Sequence, residues 1–542
     1  MTATEPEVER RASSGSVNEG DEDRLAQFGY KQELRRDWGL AHNFGVSFSI
    51  ISVITGITTL FSYGLNTGGP AVMSAGWIIV SFFTLLVAIA MAEIVSAIPT
   101  SGGPYFWAAL LAPPRWSPFA AWLTGWYNLL GQVAVTTGIS FGLAGLVSTA
   151  VIVKNPDFAP SPGITIGIYA AILGSHGVVN TFGVRLLKHL NNLSILLHSA
   201  GVTALAVAVL AKAPTHRPAS FVFGNFHDGT GGTDYGAEGW SVRASPVYVA
   251  VCGALLSQYT LTGFDASAHL SEETRKASWS APIGVVSSVG FSSLFGFFVL
   301  MALLFSIQDL DAVLNSAYEQ PVLQIFVDIA GEDGALALFS LVMVCVWHCG
   351  LFSMTSNSRM MFAFARDGGI HPFFHKVDDR FRSPTRAVWL AATLSFILAL
   401  PSLGSSVAFS AATSIATIGL YLSYGLPILI GLVCHRSFAA IKGPFNLGAL
   451  SRPIATVACL WIGFITVVFC LPTANPVTSQ TINYTAVAVG VLTLGAVGSW
   501  VVWARRWFTG PSVEVAEAMQ LGVDITEPGA LEDREKGGAS SQ

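Results

Sequence analysis

Asp265 sits in an otherwise apolar stretch, two residues after Gly263. A carboxylate inside a membrane-crossing segment is costly to keep there and by default marks a functional site. It could attract a substrate amine, or hold and release a proton. The alternative is a carboxylate that already faces water, because Ser271, Glu272 and Glu273 follow within two turns. The run that carries it, Leu261-Thr262-Gly263-Phe264-Asp265, has a counterpart in Ile54-Thr55-Gly56-Ile57-Thr58. Each places glycine beside small hydroxyl residues deep inside an apolar span. Unwound backbone at that depth is tolerated only where it lines a polar cavity. A pair of glycine-interrupted spans in the two halves of a chain points to a transporter's substrate site. The exposed N–H groups at one half-helix start suit a carboxylate, and the free C=O groups at the other half-helix end suit a cation. An amino acid offers both charges. Packing glycine is the plain alternative for Gly56 and Gly263.

Other polar residues could serve the same cavity. Tyr259 and Phe264 flank the second break and could cover a solute, or simply pack. Ser353 and Thr355, with Ser356 and Asn357, could help carbonyls of the first span hold a coupling sodium ion, or only bond to their own helix. His198 is a candidate proton carrier, given an ordinary pKa near 6.5, ahead of His176 and His348. Gln132 could reach the cavity or bond between helices. Cys345, His348 and Cys349 share a helical face, but structural zinc sites usually supply four ligands, so no metal site is assigned. The six cysteines fall in or beside apolar segments and read as free thiols. No nucleophile–base pair or catalytic metal set is found, no cofactor is called for, and no ring of polar residues suggests a channel.

The elements that must position these residues are membrane helices. The chain is 542 residues long, 52% hydrophobic and only 11% charged, with mean hydropathy +0.57; soluble domains average about 25% charged residues. Its net charge of −5 gives no sign of a nucleic-acid partner. Twelve segments approach the ~20 apolar residues that a bilayer demands. They lie near Asn43–Leu65, Val72–Ile98, Ser117–Val151, Gly163–Asn180, Asn191–Ala211, Pro246–Ser271, Pro282–Ile307, Ala335–Phe364, Ala387–Leu403, Val407–Cys434, Ile454–Leu471 and Tyr484–Trp507. With the N-terminus in the cytoplasm, all but four of the 28 Lys and Arg fall on that side, the exceptions being Lys154, Lys212, Arg217 and Arg243. That asymmetry supports twelve spans and cytoplasmic termini. The domain reading is a disordered N-terminal tail over 1–40, a transporter domain over 41–508 and a disordered tail over 509–542. Within the domain, 43–211 and 246–434 form two repeats and 454–507 adds two helices. Residues 1–39 are polar and show no cleavable signal peptide. Leu310–Leu314 and Val322–Ile329 read as short helices along the outer surface, and Gly224–Gly239 as an external loop.

Several motifs add a resemblance. Gly263-Phe264-Asp265-Ala266-Ser267-Ala268-His269, followed by Ser271-Glu272-Glu273-Thr274, resembles the sixth-helix signature of the amino acid/choline transporter family, a branch of the amino acid–polyamine–organocation superfamily. Supporting runs are 29–36, 49–57, 99–107, 356–359 and 363–368. The chain is similar to GABA permease-like members and to the plant bidirectional amino acid transporter. The resemblance implies an all-α leucine-transporter-type fold, a five-plus-five inverted repeat with helices one and six broken and two helices added. It implies that Thr55, Gly56, Ile57 and Thr58 meet a substrate carboxylate, and that Tyr259, Thr262, Gly263, Phe264 and Asp265 line the same pocket. It also implies a small amino acid or amine as substrate, GABA leading, with choline or polyamines as the rival, and transport rather than enzymatic turnover. Many superfamily relatives couple to protons, some through a lysine in helix five. Here that position reads Leu197-His198-Ser199, which leaves proton coupling open and draws attention to His198. Glu272, Glu273 and Arg359 are expected to gate the cytoplasmic mouth, with the loop 99–107 dipping against it. Arg366 could join these ion pairs, with Asp37 as a further partner, but positive-inside anchoring is the preferred reading for it. The expected setting is the plasma membrane.

Overall fold

In the computed structural model, residues 22, 25, 26, 28–34, 36–182, 184–231, 237–403, 408–441, 443–479 and 481–511 are described. Most of both expected tails, Val407 at the start of the tenth segment, and part of the external loop lie outside the described residues. Among the described residues the chain is helical, with isolated bridges and no strand. Eleven helices among the described residues are long and apolar enough to cross a bilayer. They fall on eleven of the twelve expected segments. The sixth is absent from that set because it is divided into Pro246–Gly253, Leu255–Thr260 and Ala266–His269.

Long apolar helices are what hydrocarbon selects, since each backbone group must find its partner within the segment. Their outward faces confirm the solvent they are built for: Leu294 is 79% exposed, and Leu494 and Val433 are each 76% exposed. The polar residues turn inward. Ser47, Thr84, Asn128, Asn180, Ser353 and Asn357 are all buried.

Several boundaries differ from the sequence reading, the fifth and eighth helices most. The fifth helix starts at Arg185 rather than Asn191, because the polar run Arg185–Asn192 continues the helix into the basic face. The eighth runs over Pro321–Arg366, with Gly331 at φ +67° breaking it into an outer piece and a long inner one. The outer piece carries the expected Val322–Ile329 helix, and Leu310–Leu314 forms a separate short one. The fifth helix also contains a π turn at Leu197–Gly201, a feature that tends to occur at functional sites.

Candidate substrate site

Both interruptions exist, and they lie against each other. The sixth segment is unwound from Leu261 to Asp265, with Gly263 at φ +87°. Only glycine enters that conformation freely, and a Cβ there would press on Ile50. The first segment is interrupted at Ser52, φ +30°, between Leu40–Ile51 and Val53–Asn66. This corrects the expected position. Thr55, Gly56, Ile57 and Thr58 belong to the first turns of the second half-helix rather than to the break. Gly56 is where the two segments close on each other: a Cβ on it would lie 2.8 Å from Thr260 Cα.

The backbone left bare by these breaks defines the site. Among the described residues, the amides of Val53 and Ile54 have no hydrogen-bond partner, and the Thr55 amide turns back to Ser52 O at 2.8 Å. At the second break the amides of Phe264 and Asp265 are likewise unpaired. The carbonyls of Thr260, Leu261 and Thr262 close the preceding half-helix without an acceptor role. Two N–H ends and one C=O end thus meet in one buried region. Thr58 Oγ1 is also buried there without a partner.

Side chains hold each break from different directions. His198, on the π turn, approaches Ser52 Oγ with Nε2 at 2.9 Å, while its Nδ1 lies 2.9 Å from Ser194 O. Ser52 Oγ is 2.5 Å from Thr55 Oγ1. A hydrogen-bonded chain therefore runs from helix five through the break to Thr55. From helix eight, Cys349 Sγ donates to Ile50 O at 3.1 Å. Neither Ser353 nor Thr355 takes that place. Ser353 bonds Thr136 on helix three at 2.9 Å, and Thr355 donates to Asn180 on helix four at 2.7 Å. Two residues apart on a helix, they point to different neighbours.

Asp265 is fully buried. Its Oδ2 accepts from Gln132 Nε2 at 2.8 Å, Asn128 Nδ2 at 3.3 Å and His269 Nε2 at 3.2 Å, while Oδ1 has no hydrogen-bond partner. The reading of Asp265 as water-facing does not hold. His269 was not singled out from the sequence, although its i+4 spacing from Asp265 placed both on one face. Its Nδ1 lies 2.9 Å from the Ser101 carbonyl. Phe264 packs against Tyr424, ring centroids 5.1 Å apart and planes tilted by 45°, and Tyr259 is 5% exposed beside Gly138. Thr262 Oγ1 donates to the Tyr259 carbonyl at 2.5 Å.

Below this region the basic face is shut. Arg359 Nε donates to Glu273 Oε1 at 2.8 Å, both side chains almost wholly buried. Arg366 grips Glu272 with both terminal nitrogens, at 3.0 and 3.1 Å. It thus makes the ion pair with Glu272 that is the lesser of the two sequence readings for it. Burial alone would raise the Glu272 carboxyl, but Arg366, with the Ser101 amide at 3.1 Å, holds it below its ordinary value. Tyr30 and Tyr105 donate to the two oxygens of Asp367, each at 2.8 Å. The loop 98–103 lies buried against this cluster. The N-terminal strap joins it through Trp38 N to Glu273 O at 3.0 Å and Arg275 N to Trp38 O at 2.8 Å. Ser47, Asn43 and Ser267 cross-link the inner halves of segments one and six.

A family model described as amino acid permease matches residues 43–494. The amino-acid permease BAT1 homolog of Oryza sativa is 42% identical over 92% of this chain and 97% of its own length. Amino-acid permease BAT1 of Arabidopsis thaliana is 41% identical over 90% and 95%. The GABA-specific permease of Saccharomyces cerevisiae is 31% identical over 96% and 90%.

Proposed function

The chain belongs to the amino acid permease family, and from that premise we propose that it is a secondary active transporter carrying a small amino acid through the space between the two broken segments. The family makes it an integral membrane transporter and not an enzyme. The observation that carries the finer reading is the apposition of unpaired amides at Val53–Ile54 with unpaired carbonyls at Thr260–Thr262. The two segments close on each other at Gly56 and Thr260, so one small zwitterion can meet both ends. The carboxylate takes the N–H end, with Thr55, Gly56, Ile57 and Thr58 framing it. The amine takes the C=O end, beside Tyr259, Thr262, Gly263 and Phe264.

GABA leads the substrates, in keeping with the 31%-identical GABA-specific permease. Choline and polyamines are the competing amines. The twelve segments act as a five-plus-five inverted repeat with two added helices, and the bundle rocks about the central site. The present state is closed toward the basic face, which we assign to the cytoplasm of a plasma-membrane protein with both termini inside. A proton is the coupling ion, held at Asp265 and His269, a buried pair that also meets the neutral amides of Gln132 and Asn128. The His198–Ser52–Thr55 chain reports occupancy of the first break to helix five.

Purified protein in vesicles of phosphatidylcholine tests this. Uptake of labelled GABA, other amino acids, choline and spermidine is measured under imposed proton and sodium gradients. Accumulation of an amino acid driven by a proton gradient is the expected result. Saturable binding with no accumulation would reassign the chain as a nutrient sensor, and accumulation driven only by sodium would remove the Asp265–His269 proton.

A further inference from the structure

A second feature of the basic face lies beside the gate, behind Trp38. It is a cavity of about 520 Å³ between the end of helix four, the start of helix five and the connection from helix eight to helix nine. Arg185 and Lys188 line it from helix five, and Arg380 and Arg382 from the connection. Asp37 supplies the single carboxylate of the lining. None of the four cations pairs with a carboxylate among the described residues. Like charges gathered around one hollow repel one another. Anchoring in a membrane surface needs basic residues only along a rim, so it does not account for their convergence.

The cavity is built, not slack. Asp378 Oδ1 accepts from the amides of Arg380 and Phe381, each at 3.0 Å, and Asp378 O accepts from the Arg382 amide at 2.8 Å. Phe381 packs edge-on against Phe182 at 4.8 Å, and Ser383 Oγ donates to Asn180 O at 2.9 Å. These contacts fasten the connection to helix four. They also hold Arg382 at φ +53°, a conformation that non-glycine residues keep only when their surroundings impose it. Such strain is met at ligand clamps. The wall behind is Trp38, buried and tied to Glu273 through its backbone.

Guanidinium forks favour a planar or tetrahedral oxyanion that can take paired hydrogen bonds. A phosphomonoester supplies that geometry together with close to two negative charges. The flank of the cavity is apolar. Phe182 is 60% exposed, and Leu186, Leu193 and Leu196 continue the outer face of helix five at 48%, 43% and 58% exposure. An acyl chain attached to the phosphate would run along that stripe.

We propose that this cavity is a binding site for a phosphomonoester anion, supplied either as the headgroup of an anionic phospholipid or as a soluble phosphate ester. The full-length protein is purified into phosphatidylcholine nanodiscs with or without phosphatidic acid. Bound lipid is counted by native mass spectrometry after release, and glycerol 3-phosphate binding is titrated in parallel. The expected result is selective, saturable retention of phosphatidic acid. Arg380→Ala/Arg382→Ala should weaken it about 30-fold, roughly five-fold for each cation removed near a membrane surface. Arg380→Lys/Arg382→Lys should bind within a few-fold of the parent. Glycerol 3-phosphate binding with the same dependence on Arg380 and Arg382 identifies the soluble source, and its absence identifies the lipid. Should the alanine pair fail to reach the membrane, Lys188→Gln carries the test with about a five-fold loss. The proposal is overturned by retention of phosphatidic acid no greater than that of phosphatidylcholine together with no glycerol 3-phosphate binding. It is equally overturned by binding that Arg380→Ala/Arg382→Ala and Lys188→Gln leave unchanged.

Discussion

Breaking the Arg359–Glu273 pair should open the basic face, and the size of the effect can be worked out. Both side chains are at most 3% exposed, with Arg359 Nε at 2.8 Å from Glu273 Oε1. Removing one partner of a buried pair leaves an uncompensated charge and costs about 3–5 kcal/mol. That cost falls on the closed state alone, because in an open mouth the remaining charge meets water. A penalty of about 3 kcal/mol shifts the closed-to-open ratio by about 150-fold. The readout is amide exchange. The amides of Trp38 and Arg275 are locked by bonds across the gate, to Glu273 O and Trp38 O, so they exchange only when it parts. Arg359→Ala and Glu273→Gln should each accelerate exchange of peptides covering 36–40 and 273–277 by about that factor, up to the open-state limit. Arg359→Met/Glu273→Leu should recover most of the protection, since an apolar pair of similar volume removes the stranded charge. Exchange in both single variants within about threefold of the parent, under conditions where the parent is protected, would refute the gate as drawn.

Four further outcomes follow from the same geometry. Gly56→Ala should abolish most uptake while leaving membrane insertion intact, because its Cβ meets Thr260 backbone and overpacking of this kind costs about 1–3 kcal/mol; uptake at the parental rate would show that the two half-helices can separate freely. Asp265→Asn should lower proton-driven uptake and flatten its pH profile, and an unchanged profile removes Asp265 from coupling. His198→Phe should weaken substrate affinity through the lost bond to Ser52 Oγ at 2.9 Å, read as a raised KM, with no change counting against the relay. Glu272→Gln should lower thermal stability at neutral pH. The Glu272 carboxyl is held below its ordinary value in the folded chain, so its contribution is present above the unfolded pKa and disappears as pH falls through the folded one. The difference between variant and parent should therefore shrink on acidification, and a constant difference across pH would contradict the pairing with Arg366.

The sequence made the sixth-segment break legible because the residue that bends is glycine, and φ +87° at Gly263 needs one. The first break escaped by a few residues for the opposite reason. Ser52 is not a natural left-handed residue, and its conformation is held by His198, by Thr55 and by the contact of the half-helices, which no local pattern encodes. The helix-eight hydroxyls are turned to different neighbours, Ser353 to Thr136 and Thr355 to Asn180, a difference that their two-residue spacing carries. The i+4 pair Asp265 and His269 was legible by the same rule and was passed over. The roles of Cys349 and Gln132 came from tertiary packing, since both sit in long helices whose rotation the apolar pattern leaves loose.

The gate's composition argues for a switch over a lock. Glu272 and Glu273 are consecutive, yet they engage arginines two turns apart on helix eight, Arg366 and Arg359. One short 3₁₀ turn thus fastens the inner half of segment six to helix eight at two points. Closing it takes four charges out of water, and that desolvation offsets most of the Coulomb gain. Closure is therefore favoured by only a few kcal/mol, which a bound ligand can overcome, as a carrier requires. What tips the balance is the substrate region above: the short stretch Ala266–His269 joins the bare amides of Phe264 and Asp265 to the Glu272–Glu273 turn. A ligand that draws on those amides pulls directly on the element that carries both gate carboxylates. Occupancy and closure are linked through about two turns of helix, without any longer pathway.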